Sequence, residues 1–361
     1  MIPIANPLLT DAEVDSVTEV LQSGMLADGP RVRSFEKQFA EYCGTSHGIA
    51  TSNGTTALHA ALEAAGIEAG DKVVTSSFSF VASANAIRLA GGEPVFADID
   101  PTTFNLDPGH VKELVSEDND ITAILAVHLY GLPCDIERLT EIADQHDLLL
   151  IEDAAQAHGA RCLDSPIGTF GDFGCFSFYP TKNMTTGEGG MVVTDRPDLA
   201  EQVRSFVNHG RDPNAAYEHT AVGHNFRLNS IAAAIGQHQL EKLPGFVEER
   251  RANAQRLTDL LEGSDIRVPK EPDGRRHAYH QYTIRYHDRD GLAEYLESHD
   301  IGTGVYYPHA IPDQQAYDEV DVEVPHARQA ADDVLSLPVH PAVSETDIEK
   351  IAMRVREYTE T

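Results

Sequence analysis

Two segments of this 361-residue chain hold residue types that can do chemistry together. The first is Leu148-Leu149-Leu150-Ile151-Glu152-Asp153-Ala154-Ala155-Gln156-Ala157-His158-Gly159. Its four leading apolar residues read as a buried strand, with Asp153 just past the carboxyl end. A carboxylate in that position is costly to desolvate unless a cation meets it. The protonated nitrogen of a heterocycle is such a cation, although a metal, an arginine or the start of a helix would serve too. The second segment is Cys175-Phe176-Ser177-Phe178-Tyr179-Pro180-Thr181-Lys182-Asn183, an aromatic strand broken by proline with a lysine on the turn. Lysine is scarce in this chain, and Lys182 sits among apolar and small residues. Burial lowers an amine's pKa and makes it nucleophilic toward an aldehyde. The plainer alternative is a lysine exposed on a turn. Gly187-Glu188-Gly189-Gly190 follows, and its glycines let backbone crowd close to a ligand.

Two more segments supply what these lack. Ser52-Asn53-Gly54-Thr55-Thr56-Ala57 sets small residues at a helix start, where free N–H groups and the helix dipole suit a phosphate. An ordinary Ser/Thr N-cap looks the same. Ser177, on the lysine-bearing strand, offers a hydroxyl to that phosphate. Ser77-Phe78-Ser79-Phe80-Val81-Ala82 offers an aromatic face for stacking, though Phe78 and Phe80 taken singly read as core. Together the four segments are much harder to dismiss as a ligand site than any one alone.

The elements that must position these residues alternate along the first two thirds of the chain. Short apolar runs at 72–75, 94–97, 121–127, 148–151 and 191–194 read as buried strands, with helical patterns between several of them. That order predicts a largely parallel sheet covered by helices on both faces, with ligands at the carboxyl ends of the strands. Thr10-Asp11-Ala12-Glu13 is a capping box, and Val14, Val17, Val20 and Leu21 predict the apolar face of the helix after it. A change near Leu243-Pro244-Gly245 predicts a boundary between a large domain, 1–243, and a smaller α+β domain, 244–361. The second holds a charged helix (246–261), an alternating strand (279–286), a helix near 290–298 and a closing helix after Ser344.

Composition narrows the setting. Asp and Glu total 58 against 27 Lys and Arg, a formal net charge of −31 spread along the chain. This argues against nucleic acid or an anionic membrane as partner. An acidic surface with few lysines favours a high-salt cytoplasm over a merely acidic mesophilic one, because salt screens self-repulsion. No apolar run is long enough to span a bilayer, and the first residues lack a secretory pattern. Cys43, Cys134, Cys162 and Cys175 form no CxxC pair and read as reduced thiols of a cytoplasmic protein. His277 and His280, three apart on an expected strand, would face opposite ways, so no metal site is expected. His158 and His280 are candidates for substrate contact, with packing as the rival.

With these motifs in hand, the sequence resembles the DegT/DnrJ/StrS-type pyridoxal-phosphate (PLP) aminotransferases, over nearly the whole chain. The most specific match is Ser177-Phe178-Tyr179-Pro180-Thr181-Lys182-Asn183 with Gly187-Glu188-Gly189-Gly190. Gly223-His224-Asn225-Phe226-Arg227 and Gly302-Thr303-Gly304-Val305-Tyr306-Tyr307-Pro308 agree as well. The resemblance implies an α/β fold of the type I PLP-dependent transferases (aspartate-aminotransferase-like), with a mostly parallel seven-stranded sheet and a smaller α+β C-terminal domain. It implies that Lys182 carries PLP as a Schiff base, that Asp153 partners the pyridine nitrogen, that Gln156 approaches the ring hydroxyl and that Phe80 stacks on the ring. Gly54, Thr55 and Ser177 would hold the phosphate. Asn225 would reach the phosphate of the neighbouring subunit, making a homodimer with shared sites. Arg227, Tyr307 and His309 are the substrate candidates; Arg227 could equally be a structural ion pair. The stretch Pro308-His309-Ala310-Ile311-Pro312-Asp313 lacks a histidine common in the family. The implied reaction moves an amino group from glutamate or glutamine to a nucleotide-linked keto sugar. PLP-dependent sugar dehydratases or deoxygenases in this group commonly carry histidine at the lysine position, so Lys182 favours transamination. A non-catalytic PLP-binding regulator on the same fold is the remaining alternative.

Overall fold

The computed structural model describes residues 1–212, 215 and 217–360. Its centre is a seven-stranded sheet built from β1 (His47–Thr51), β2 (Lys72–Ser76), β3 (Glu93–Ala97), β4 (Ile121–Val127) and β5 (Leu149–Asp153). Two small strands, β6 (Arg161–Cys162) and β7 (Ser165–Pro166), interrupt before β8 (Phe173–Ser177) and β9 (Gly190–Thr194) complete it. The strand order is β1-β9-β8-β5-β4-β2-β3, and only β9 runs against its neighbours. The expected mostly parallel sheet is therefore present. Its strands are apolar on both faces because helices cover both. Ile124, Ala126 and Leu150 pack into one layer with Phe35 and Phe39, while Leu125, Val127 and Ile151 pack into the other with Leu58 and Ile87.

The C-terminal part has its own core. β10 (Arg275–Arg276) joins β6, whereas β11 (Tyr282–Arg285) pairs antiparallel with β12 (Val334–Leu337). Helices Arg289–Ser298 and Glu345–Thr359 pack on that pair through Leu292, Leu296, Ile348 and Ile351. The boundary expected between residues 243 and 244 falls inside one helix, Ser230–Leu261, which contains Pro244. A proline within a helix costs about 3 kcal/mol. Here an unbroken buried stripe outweighs it: Leu240, Leu243, Val247, Arg250, Ala254, Leu257 and Leu261 recur at three- and four-residue steps. Each fully buried aliphatic side chain contributes roughly 1.5–3 kcal/mol.

The helix Asp11–Ser23 departs from its expected face. Val20 is buried, but so are Glu13 and Ser16, while Val14 and Leu21 are 60% and 54% exposed. The reason is polar. Glu13 accepts from Gln239 Nε2 at 2.8 Å and pairs with Lys242 Nζ at 2.5 Å on the long helix, besides closing its capping box with the Thr10 N–H at 2.9 Å. Among the described residues no helix is long and apolar enough to cross a membrane. The four cysteines are buried and unpaired.

Candidate active site

The four segments singled out above meet in one cavity of about 720 Å³ at the carboxyl ends of the parallel strands. Asp153 ends β5 rather than following it, and Val127 ends β4 beside it. Ser177 ends β8, and the turn after it brings Lys182 to the cavity wall. Asn53, Gly54, Thr55 and Thr56 follow β1, while Ser79 and Phe80 follow β2.

Burial governs the electrostatics. It pulls the Lys182 amine down to about 8, with the Asp153 charge opposing the fall. About a tenth of such an amine is unprotonated near neutrality. Burial pushes the Asp153 carboxyl up, opposed first by a hydrogen bond from Ser83 Oγ at 2.7 Å and then by the Ala155 N–H at 3.2 Å. Gln156 is fixed at both ends. Its Oε1 accepts from the Tyr130 N–H at 2.7 Å, and its Nε2 donates to the Tyr307 hydroxyl at 3.1 Å. Phe80 stands half exposed at the mouth, its ring 5.9 Å from that of Tyr307.

At the far wall a helix start faces a strand end. A Cβ on Gly54 would lie 2.7 Å from the Ser177 Cβ, so only glycine lets the helix start come this close. Ser177 Oγ accepts from the Tyr179 N–H at 3.4 Å, leaving its own hydrogen for an anion. Gly54→Ala is expected to weaken PLP binding about five- to a hundredfold, since overpacking of this kind costs about 1–3 kcal/mol. Titrating the apoenzyme with PLP checks this; unchanged affinity would place the phosphate elsewhere. A side chain on Gly190 would overlap the Asn53 carbonyl, so the close approach is to backbone, while Glu188 lines the cavity.

Three expected residues stand apart from this cavity within one chain. Asn225 is exposed and its backbone bridges Asn208. Arg227 donates to the Asn208 side chain and lines a separate cavity with Arg33, Glu36 and Arg204. His309 is exposed. His158 is packed among Phe39, Phe176 and Phe178, and burial pushes it down to about 3. His277 and His280 precede β11 instead of lying on a strand; His277 stacks on Tyr279, while His280 lines the cavity. Ser79 and Tyr306 also line the cavity, and Ser83 and Tyr130 hold Asp153 and Gln156, though no sequence motif marks any of the four as a site residue. The only signal for the serines was their spacing of four across a helix start.

A buried acid and a buried amine on one cavity, with a cradle that a Cβ would fill, fit PLP: Lys182 to hold it, Asp153 for its ring nitrogen, Gly54, Thr55 and Ser177 for its phosphate. Fold and site together define a PLP-dependent enzyme of the type I fold. The model of the DegT/DnrJ/EryC1/StrS aminotransferase family matches residues 7–356, and the chain belongs to that family. It is a PLP-dependent aminotransferase. Among its relatives is a "Pleiotropic regulatory protein" of Geobacillus stearothermophilus, 41% identical over 347 residues, covering 94% of this chain and 92% of the relative. A "GDP-perosamine synthase" of Caulobacter vibrioides is 38% identical over 364 residues, covering 97% and 96%. The crystal structure of a family aminotransferase from Brucella abortus superposes with a TM-score of 0.94 at 35% identity, covering 97% and 96%.

Proposed function

We propose that this aminotransferase moves an amino group from glutamate or glutamine onto a nucleotide-linked keto sugar. The observation that carries the reading is Lys182, a buried amine sharing one cavity with a buried acid. The GDP-perosamine synthase relative supports a nucleotide-linked sugar as acceptor. When bound, PLP supplies a carbonyl that takes up the amino group and a ring that spreads negative charge. The protein's residues do the rest. Lys182 Nζ holds the cofactor and, once released, takes the α-proton of the amino donor. In the second half of the cycle it delivers a proton to the sugar carbon that becomes aminated. The Asp153 carboxylate holds the proton on the ring nitrogen. Gln156, tied to Tyr130 and Tyr307, fixes the ring's other edge. Phe80 stacks on the ring, and Tyr307 walls the space left for the sugar.

The test is a panel of nucleotide-linked 3- and 4-keto sugars offered with glutamate or glutamine at high salt, with products identified by mass. An amino sugar with matching 2-oxo acid release is expected. A dehydrated or deoxygenated sugar would overturn the reading. PLP binding without turnover on any pair would favour the regulator, the reading suggested by the Geobacillus relative's name.

The functional unit we infer is a homodimer in the cytoplasm. The exposed Val14 and Leu21, near exposed Met25 and Leu26, support a protein-covered face, and Asn225 is free to reach a second subunit. The net charge of −31 supports a high-salt setting. Melting temperature is therefore expected to rise by several degrees between about 0.1 M and about 2 M KCl, as the Debye length falls below ~3 Å. A flat or falling profile in a thermal-shift assay would exclude the halophilic reading.

A further inference from the structure

Asp153 is served by more than the cofactor and Lys182. The helix Ala82–Leu89 begins beside the cavity, and its first turn carries Ser83, which has no exposed surface. Ser83 Oγ donates to Asp153 Oδ2 at 2.7 Å, and Ser79 Oγ lies 3.0 Å from Ser83 Oγ. A serine hydroxyl has one hydrogen. Since Ser83 gives it to the carboxylate, Ser79 must be the donor to Ser83. Two hydroxyls therefore stand in series, Ser79 donating to Ser83 and Ser83 donating to the acid.

The other groups around Asp153 are of different kinds. The Ala155 N–H reaches Oδ1, and Lys182 approaches from the turn after β8. His128, just past β4, accepts from the Cys134 N–H at Nδ1, so its proton lies on Nε2 and points to Glu152 at 3.1 Å. The Cys175 thiol and Tyr307 phenol face the acid as well, both pushed up by burial and so uncharged. Among the described residues Ser83 is the one side chain that gives Asp153 a hydrogen bond.

We propose that Ser83, oriented by Ser79, is a positioning residue that keeps the Asp153 carboxyl ionised against the protonated ring nitrogen of PLP. The inference rests on the aminotransferase reading. A buried carboxylate drifts toward its neutral form, and donors aimed at it favour the charged one. Without Ser83 the shared proton moves toward the acid. The ring then loses positive charge and becomes a poorer electron sink.

The test is visible absorption of the holoenzyme against pH, with steady-state kinetics, for wild type, Ser83→Ala, Ser83→Cys and Ser79→Ala. In Ser83→Ala the midpoint of the visible band should rise by at least about one pH unit, because the ring's positive charge no longer depresses it. The kcat should fall about ten- to a hundredfold, with KM for the keto sugar held within about twofold. Ser83→Cys nearly keeps the volume but replaces a good donor with a weak one, and should follow Ala. Ser79→Ala should move both readouts the same way by less, and it carries the test if Ser83→Ala does not fold. Unmoved midpoints, or a Cys variant that behaves as wild type while Ala does not, would reduce Ser83 to packing. A wild-type protein with no visible band would break the aminotransferase reading and this inference with it; a wild-type band that Ser83→Ala leaves in place would break this inference alone.

Discussion

Lys182→Ala should lose the visible absorption of the lysine-bound cofactor and at least about 10⁴-fold in turnover. Both losses follow from one atom. In the proposed scheme Nζ both anchors the cofactor and moves the proton, and among the described residues no other lysine lines the cavity. Lysine at this position is also what separates transamination from sugar dehydration in the resemblance. Lys182→His tests that directly: amino sugar formation should disappear while PLP still binds noncovalently. Spectra and product assays on both variants check the expectation, and an alanine variant that still turns over would sink the scheme.

Asp153→Asn is the second large effect, a loss of about 10²- to 10³-fold in kcat with the visible band retained but shifted. The amide nearly keeps the shape while removing the charge that holds the ring proton. The adjacent Glu152 is unable to take over. It is fully buried and already accepts from His128 Nε2 at 3.1 Å and from the N–H groups of Gly168, Phe170 and Gly171 at 2.8, 2.7 and 2.9 Å. Glu152 anchors the loop before β8, and Asp153 serves the cavity. Near-normal turnover in Asp153→Asn, measured at saturating PLP, would remove the acid from the mechanism.

What was legible in the sequence follows the range of each interaction. Asp153 and Ser177 end strands, Gly54 and Lys182 lie just after strands, and there a few neighbouring residues dictate the backbone; all four line one cavity. Features set by distant partners were harder to read. Val14 and Leu21 spelled an apolar face, yet Glu13 docks that helix on Gln239 and Lys242, more than 200 positions away. Pro244 spelled a break, but the buried stripe from Leu240 to Leu261 carries the helix through it. Ser83 is the same kind of case, because its importance comes from Asp153, 70 residues on. Arg227 and His309, the other substrate candidates, both lie away from the cavity within one chain.

The helix through Pro244 also bears on how the two lobes come apart. A single shaft threads both, so neither has a natural place to be clipped free. A fragment beginning at residue 244 would start in mid-helix, with Leu243 and the turns before it stripped away. Thermal unfolding of the apoprotein should then register as one event shared by both lobes rather than two in succession.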